Sequence, residues 1–485
     1  MKDQLNLLVQ LISRRGIDTS KHQDILATFA SDQAVLNNLD SINSLEMKIV
    51  ENWEIYSRSN NFENLKVWIP NGTVGEIYEH VFPENFFADN YIKNHEIKGL
   101  DNTGVIYDKE KTRLYGTPTE SGSITFCIGY NIVGESDNEK LREKNIKIIV
   151  NPDPKTLWKD IPSDTNLLFW KDDNQSASAM FEDRRILISS KRGRSHGNIG
   201  SCRDDDFAFK HFEKTRWTVV AVADGAGSAS FSRKGSEVAC KTTVEFFEHE
   251  ISKRDILEFE NHLKLAHSNS QEKQETIEQA TIKAKQILYK CSLSVHKKIH
   301  LIAKNTFNTE TDLFNDKKAK SVFDYFHSTL IFTAFKKFDF GYVFLSFGVG
   351  DCPIAIISKD KSEVNLLNYL DVGEYGGGTR FITQPEIFHS KERPMEERFN
   401  LKIIDDYSFV FLMTDGIYDA KFIVEANLEK MEKWKDFLKD LEGENEDRIG
   451  LGFSDDIELE ERNLNKWMDF WSKGNHDDRT LAIIY

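Results

Sequence analysis

Several apolar runs in this chain stop on an aspartate. Val219 to Ala223 are small or β-branched and lead into Asp224, followed by a Gly-Ala-Gly-Ser tract. The run YVFLSFGVGDCP reaches Asp351, and FVFLMTDGIYD reaches Asp415. NHDDRTLAIIY has the reverse order, with Asp477 and Asp478 ahead of a strand. RGRSHGNIGSCRDDDFAF sets Asp204, Asp205 and Asp206 before a further apolar stretch. Taken singly, each is an ordinary turn or strand-terminating aspartate, because Asp-Gly is a common turn dipeptide. Taken together they constrain the fold. Strand ends are rigid, and loops there converge on one rim. Carboxylates gathered without partners repel one another, and their pKa values rise. Divalent cations relieve that repulsion, and hard magnesium or manganese prefers oxygen ligands. Gly225 lacks a Cβ, so its carbonyl can approach an ion closely.

At 485 residues the chain exceeds one ordinary core, and two to three domains are expected. Hydrophobic content of 39% and charge of 29% are those of a soluble globular protein. The five cysteines are scattered and form no C-x-x-C pair. This argues against a disulfide framework or a cysteine-based zinc site and fits a reducing compartment. A net charge of -16 repels nucleic-acid phosphates and anionic lipid. No apolar run has the length of a membrane span. Asp3, Asn6 and Gln10 interrupt the first apolar residues, unlike a signal peptide. A cytoplasmic protein that binds neither nucleic acid nor membrane is expected.

Residues 1–62 read as a helical segment, with a stripe at Leu5, Leu8, Val9, Leu11 and Ile12 that continues from Ile42 to Tyr56. A cap or partner-binding bundle is the modest reading. Residues 63–150 change to short alternating runs with turn signals. Gly99, Leu100, Asp108, Leu114, Gly116, Thr117, Pro118, Gly122 and Phe126 resemble the signature of a bacterial immunoglobulin-like repeat. That resemblance implies a small β-sandwich acting as spacer or binding module. Residues 151–180 carry three prolines near their start and read as a linker that docks through Leu157 and Trp158. Residues 181–485 alternate strands with long helical stretches: Gly235 to about Leu265, Gln271 to about Lys304, and a charged, interrupted one from Ile423 to Trp471.

The ordered motifs SHGNIGSCRDDDF, VADGAGS, HSTLIF, GVGDCP, GEYGGGTRFIT, MTDGIYD and DDRTLAII resemble the metal-dependent protein phosphatase family of the protein phosphatase 2C type, most closely its bacterial branch. The resemblance spans Ile186 to Tyr485. It implies an α+β catalytic domain built as a four-layer αββα sandwich, preceded here by the small β-sandwich and the helical segment. It also implies two manganese or magnesium ions at one end of the sandwich. Asp224 would bridge them, Gly225 would ligate through its carbonyl, and Asp415 and Asp477 would complete the set. Asp205 would hold a metal-bound water, and Asp351 would help hold a weaker third ion. A metal pair activates a bridging water for in-line attack on phosphorus without a covalent enzyme intermediate.

Cys352 lies beside Asp351, where the family has serine or glycine. Without a C-x5-R cradle it reads as inert packing, not as a nucleophile. GEYGGGTRF lacks the Lys-Ser/Thr of a phosphate loop and reads as a mobile flap. His327 reads as packing or capping. His196 has two roles open to it, general acid for the leaving alkoxide or structural hydrogen bond. Many family members carry a phosphate-binding arginine at the position of Gly200. Arg194 is the favoured substitute, ahead of Arg203 and Arg192, with His196 assisting.

The sequence therefore reads as a cytoplasmic serine/threonine protein phosphatase. Its partner would be a phosphorylated protein, a cognate kinase or that kinase's target. Two alternatives stand beside it: a pseudophosphatase that binds partners as a scaffold, and a phosphatase of a small phosphorylated molecule.

Overall fold

The computed structural model describes residues 2–485 apart from 137, 252, 269–272, 372–377, 392 and 454–455. The chain divides into two units, Met1–Leu157 and Trp158–Tyr485. The first unit begins with helices α1 (Lys2–Arg14), α2 (Gln23–Ala30) and α3 (Gln33–Asn64). The Asp32 carboxylate caps α3 by accepting the Ala34 N–H at 2.8 Å. Next come β1 (Gly72–Thr73), β2 (Tyr78–Val81), α4 (Phe86–Asp89), β3 (Ile92–Lys98), β4 (Val105–Asp108), β5 (Arg113–Gly116), β6 (Gly122–Ile132) and β7 (Arg142–Asn151). They form a four-stranded sheet, β1-β7-β6-β3, and a three-stranded sheet, β2-β5-β4. Both contribute to one apolar core containing Phe82, Leu114, Phe126, Ile128 and Ile148, against which Phe62 of α3 packs. Alternate residues of β7 are buried, as expected of a strand with one face on a core.

The second unit contains β8 (Asn174–Phe181), β9 (Arg184–Lys191), α5 (Arg194–Ile199), β10 (Asp206–Phe212), β11 (Trp217–Ala223), α6 (Ser232–Glu250), α7 (Arg254–Ser268) and α8 (Lys273–Thr309). It continues with β12 (Leu330–Phe338), β13 (Gly341–Val349), β14 (Ile354–Ser358), β15 (Val364–Leu366), β16 (Phe399–Ile404), β17 (Tyr407–Met413), α9 (Asp415–Phe422), α10 (Met431–Leu441), α11 (Ile457–Trp467) and β18 (Arg479–Ile484). The stretch read as one helix from Gly235 breaks into α6 and α7. The charged stretch after Ile423 yields α10 and α11, separated by the polar EGENEDRIGLGFSDD interruption.

Two antiparallel sheets, β10-β11-β12-β13-β16 and β15-β14-β17-β18-β9-β8, organise this unit. All seven residues of β11 are buried, because both of its faces are covered. Val220 and Val222 join Ile188, Phe207, Ile331, Leu412, Ala482 and Ile484 in the core between the sheets. Val219, Ala221 and Ala223 face the other way, into a core shared with α6, α7 and α8. Phe411, Met413 and Leu481 pack against Trp434, Phe437 and Trp467 of the helices beyond the second sheet. Three cores between four layers define an αββα sandwich.

Residues 158–180, expected as linker, pack within this unit. The Trp158 and His476 rings lie 4.4 Å apart, Phe169 meets Phe231 edge-on at 5.9 Å, and β8 pairs with β9 along its length. The prolines mark irregular backbone at Pro152, Pro154 and Pro162, and irregular backbone is not the same as a free tether. No helix among the described residues is long and apolar enough to cross a membrane.

Candidate active site

Strand alternation builds a polar layer at one end of the inter-sheet core. Asp205 precedes Phe207, Ser190 follows Ile188, Thr414 follows Leu412 and Thr480 precedes Ala482, so each continues the face that points between the sheets. All four are buried. The hydroxyls of Thr414 and Thr480 both donate to Oδ2 of Asp205, each at 2.8 Å. Thr480 and Ser190 hydroxyls lie 2.7 Å apart, and the Thr480 N–H donates to Thr414 Oγ1 at 2.9 Å.

Around this layer stand the aspartates expected from the strand ends. Burial, with neighbouring Asp415, Asp205 and Asp351, pushes the Asp224 carboxyl well above the usual carboxylate range. Burial with Asp351 and Asp477 does the same to Asp415. Asp205 is raised to about 7 by burial and by Asp478 and Asp477. Asp351 and Asp477 are raised as well, in each case chiefly by burial. The structure thus brings Asp205, Asp224, Asp351, Asp415 and Asp477 within electrostatic reach of one another. One carboxylate oxygen on each of Asp205, Asp351 and Asp415 is buried without a hydrogen-bond partner. Such an orphaned acceptor is costly unless a cation or ordered water satisfies it. The donor set therefore fits hard divalent cations. Gly225 is held close to the acidic run, since a Cβ there would meet the Asp204 carbonyl oxygen at 2.6 Å.

Two cations lie beneath the rim: Lys171, which the sequence reading missed, and Arg203, which it weighed as a phosphate ligand. The buried Lys171 ammonium donates to the Asp205 carbonyl at 2.6 Å and to Asp206 Oδ2 at 2.9 Å. Burial lowers its pKa, and Asp206 opposes that shift. Arg203 is fully buried and also donates to the Asp205 carbonyl, at 2.9 Å. Its remaining bonds go to Ser190, Gln175 and the Asp172 carbonyl. Arg203 therefore supports the acidic turn from behind and pairs with neither Asp204 nor Asp206. Lys171 lay in the expected linker, where no local signal marked it.

Asp477 and Asp478 separate in role. Asp477 as a whole residue is exposed at the rim, although the protein crowds its carboxylate enough to raise its pKa, whereas Asp478 is buried. Asp478 accepts the Gly193 N–H at 2.6 Å and the Asp204 N–H at 2.5 Å, and its Oδ1 lies 2.9 Å from His196 Nδ1. The other ring nitrogen of His196 is 3.6 Å from Asp204. Burial opposes protonation of His196, but Asp478, Asp204 and Asp477 outweigh it and raise its pKa to about 10. His196 is thus an imidazolium tied between carboxylates, which favours the structural role over the general acid.

Arg194 departs from expectation. Its guanidinium donates to the carbonyl oxygens of Phe470, at 3.0 Å, and Asp469, and its Cζ lies 5.5 Å from the centre of the Trp471 ring. As the first residue of α5 it is engaged by the loop after α11, and these contacts occupy its guanidinium. Arg192 is likewise engaged, by Asp160 and Asp173. Of GEYGGGTRF, the segment read as a flap, residues 373–377 lie outside the described residues. In its remainder, the Thr379 hydroxyl donates to Asp351 Oδ2 at 2.6 Å. His327 packs as expected, stacked on Phe381 with Nδ1 2.6 Å from the Thr383 hydroxyl.

The sequence profile of protein phosphatase 2C matches residues 192–467, more than half of the 485-residue chain. The chain belongs to this family. Among solved structures it is similar to a bacterial serine phosphatase at 13% identity and a TM-score of 0.34, covering 62% of this chain and 96% of that one. It is similar to the serine/threonine phosphatase Stp1 of Staphylococcus aureus at 11% identity and a TM-score of 0.31, over 62% and 93% of the two chains. The catalytic domain of the serine threonine protein phosphatase PstP, in complex with two manganese ions, is similar at 14% identity and a TM-score of 0.33, over 62% and 97%. No curated protein sequence matches.

Proposed function

We propose that this chain is a metal-dependent protein phosphatase that hydrolyses phosphoserine and phosphothreonine in protein substrates. The observation that carries the reading is the set of buried, unpartnered carboxylate oxygens on Asp205, Asp351 and Asp415 beside Asp224. Asp224, Asp415, Asp477 and the Gly225 carbonyl would hold two manganese or magnesium ions. Asp205 would orient water at the pair, and Asp351 would serve a weaker third ion. When bound, such ions acidify water and neutralise phosphoryl charge.

The chain's own residues supply position. Thr414 and Thr480 fix one oxygen of Asp205 and leave the other free. Lys171 and Arg203 hold the backbone beneath it. His196 locks Asp478, and through it the approach of Asp477. No arginine among those weighed reaches the acidic rim, so the substrate's charge rests on the metals. Among the described residues, 1–157 carry no comparable carboxylate cluster and would target or regulate the enzyme.

Release of phosphate from a phosphoserine peptide, with and without manganese, tests this reading. Manganese-dependent release that vanishes in Asp224→Asn is expected, because a neutral amide would be a poor ligand where the charged carboxylate would hold the cations. Binding of manganese without turnover of any phosphopeptide would instead favour the pseudophosphatase alternative.

A further inference from the structure

Cys352 departs from the family resemblance, which has serine or glycine at this position. Its side chain is fully buried, and inert packing would be an adequate account if its neighbours were apolar. They are not. Its Sγ, a carboxylate oxygen of Asp224 and one of Asp351 all lie within 4.8 Å of one another. Metal bonds of about 2.3 Å to sulfur and about 2.1 Å to oxygen place two ligands on one ion up to about 4.4 Å apart. The spacing, at most 4.8 Å, needs a small inward shift of these side chains for them to share one ion.

Two further observations point the same way. Asp351 is only 8% exposed, and its Oδ1 is buried with no hydrogen-bond partner, while Oδ2 is committed to Thr379. An acceptor remains for a cation at this place. The Thr329 hydroxyl accepts the Asp224 N–H at 2.9 Å and lies 3.4 Å from Cys352 Sγ. Either partner can donate in the second contact, so the hydroxyl can serve the sulfur in its thiol form or in its thiolate form.

We propose that Cys352 is a metal ligand. With Asp224 and Asp351 it forms a mixed sulfur–oxygen site for a thiophilic divalent cation such as zinc, cobalt or cadmium. The proposal rests on reading the acidic rim as a cation site, and it adds the class of ion that this chain selects there. On ligation the Sγ–H bond breaks, the proton leaves to solvent, and a sulfur lone pair bonds the ion, with no change of oxidation state. Magnesium gains nothing from a thiolate, whereas zinc and cadmium do. The same rim with serine would not make that distinction.

The test uses the full chain freed of metal. Cobalt is titrated while the thiolate-to-cobalt charge-transfer band in the near ultraviolet is followed, and cadmium and manganese affinities are measured by calorimetry. The wild type is expected to develop the band, and Cys352→Ser and Cys352→Ala to lose it. Cadmium affinity should fall at least about tenfold in both variants, since loss of mere outer-shell partners already costs about 10- to 100-fold. Manganese affinity should fall by much less than cadmium affinity, and far-ultraviolet circular dichroism checks the fold of the variants. Cobalt binding without the band in the wild type, or a band that persists in both variants, overturns the role of Cys352 while leaving the rim intact. Failure of the wild type to bind manganese at all overturns the rim reading, and this proposal with it.

Discussion

Thr480 and Asp205 join the two sheets of the sandwich. The threonine is the second residue of β18 in one sheet, the aspartate immediately precedes β10 in the other, and the hydroxyl-to-carboxylate contact between them is 2.8 Å and buried. The contact leaves Asp205 one free oxygen, directed by residues far apart in the chain. Thr480→Val retains the shape and removes the donor. Because outer-shell partners of metal ligands are worth about 10- to 100-fold in affinity, manganese binding measured by calorimetry should weaken by that factor. Unchanged affinity would show that the hydroxyl does not orient Asp205.

Lys171 is a buried ammonium on which the turn from Asp204 to Asp206 rests. Removing one partner of a buried ion pair leaves the other uncompensated, at about 3–5 kcal/mol. Lys171→Met should therefore destabilise the second unit by that amount in denaturant unfolding followed by tryptophan fluorescence. A loss below about 1 kcal/mol, the range of an exposed pair, would contradict the assignment.

The pH dependence has a definite sign. Burial raises Asp204 to about 6 and Asp205 to about 7, in both cases with help from Asp478, against a usual value of 3.8. The folded, metal-free protein therefore holds protons that the unfolded chain has released. Stability contributed by these groups is fully present below about pH 4 and is lost as pH rises through 6 and 7, at up to about 1.4 kcal/mol per proton and pH unit. Cations that replace those protons should restore the loss. Burial lowers the pKa of His296, His300 and His327, so these contribute with opposite sign as pH falls below their unfolded value. Comparing melting temperatures with and without manganese at each pH cancels the histidines. The manganese-induced gain should grow from pH 5 to pH 8, and a gain that shrinks over this range would refute the account.

What the sequence disclosed follows from where each signal lies. Asp224, Asp351 and Asp415 were legible because each ends its own apolar run, a pattern contained within a dozen neighbouring residues. The layering was expected through the family resemblance, and the wholly apolar run from Val219 to Ala223 is consistent with a strand covered on both faces. Lys171, Thr414 and Thr480 were not. Their roles arise from contacts across sheets, between residues tens to hundreds of positions apart, and a lysine in a polar stretch or a threonine at a strand end looks ordinary locally. Asp477 and Asp478 look like twins in sequence, yet the alternation of an extended chain sends one to solvent and the other to His196. Arg194 shows the converse limit. Its neighbourhood was right, and its direction, set by the orientation of α5, was wrong.

That direction carries the last prediction. An arginine forked onto substrate phosphate is worth about 1.5–3 kcal/mol as a charge-assisted contact, which corresponds to about 10- to 100-fold in KM. Arg194 instead spends its donors on the carbonyl oxygens of Phe470 and Asp469 and lies over Trp471. Arg194→Ala should therefore leave KM for a phosphopeptide and manganese affinity unchanged. The loss should appear elsewhere, as earlier proteolysis or faster amide exchange at residues 469–476, where the chain passes from α11 to Asp477. Arg194→Lys should restore little of that order, because a single ammonium cannot serve two carbonyls and a ring face in the way a planar guanidinium does. A tenfold rise in KM in Arg194→Ala, with exchange at 469–476 unaltered, would return Arg194 to the phosphate and require the side chain to swing from its carbonyl partners when substrate binds.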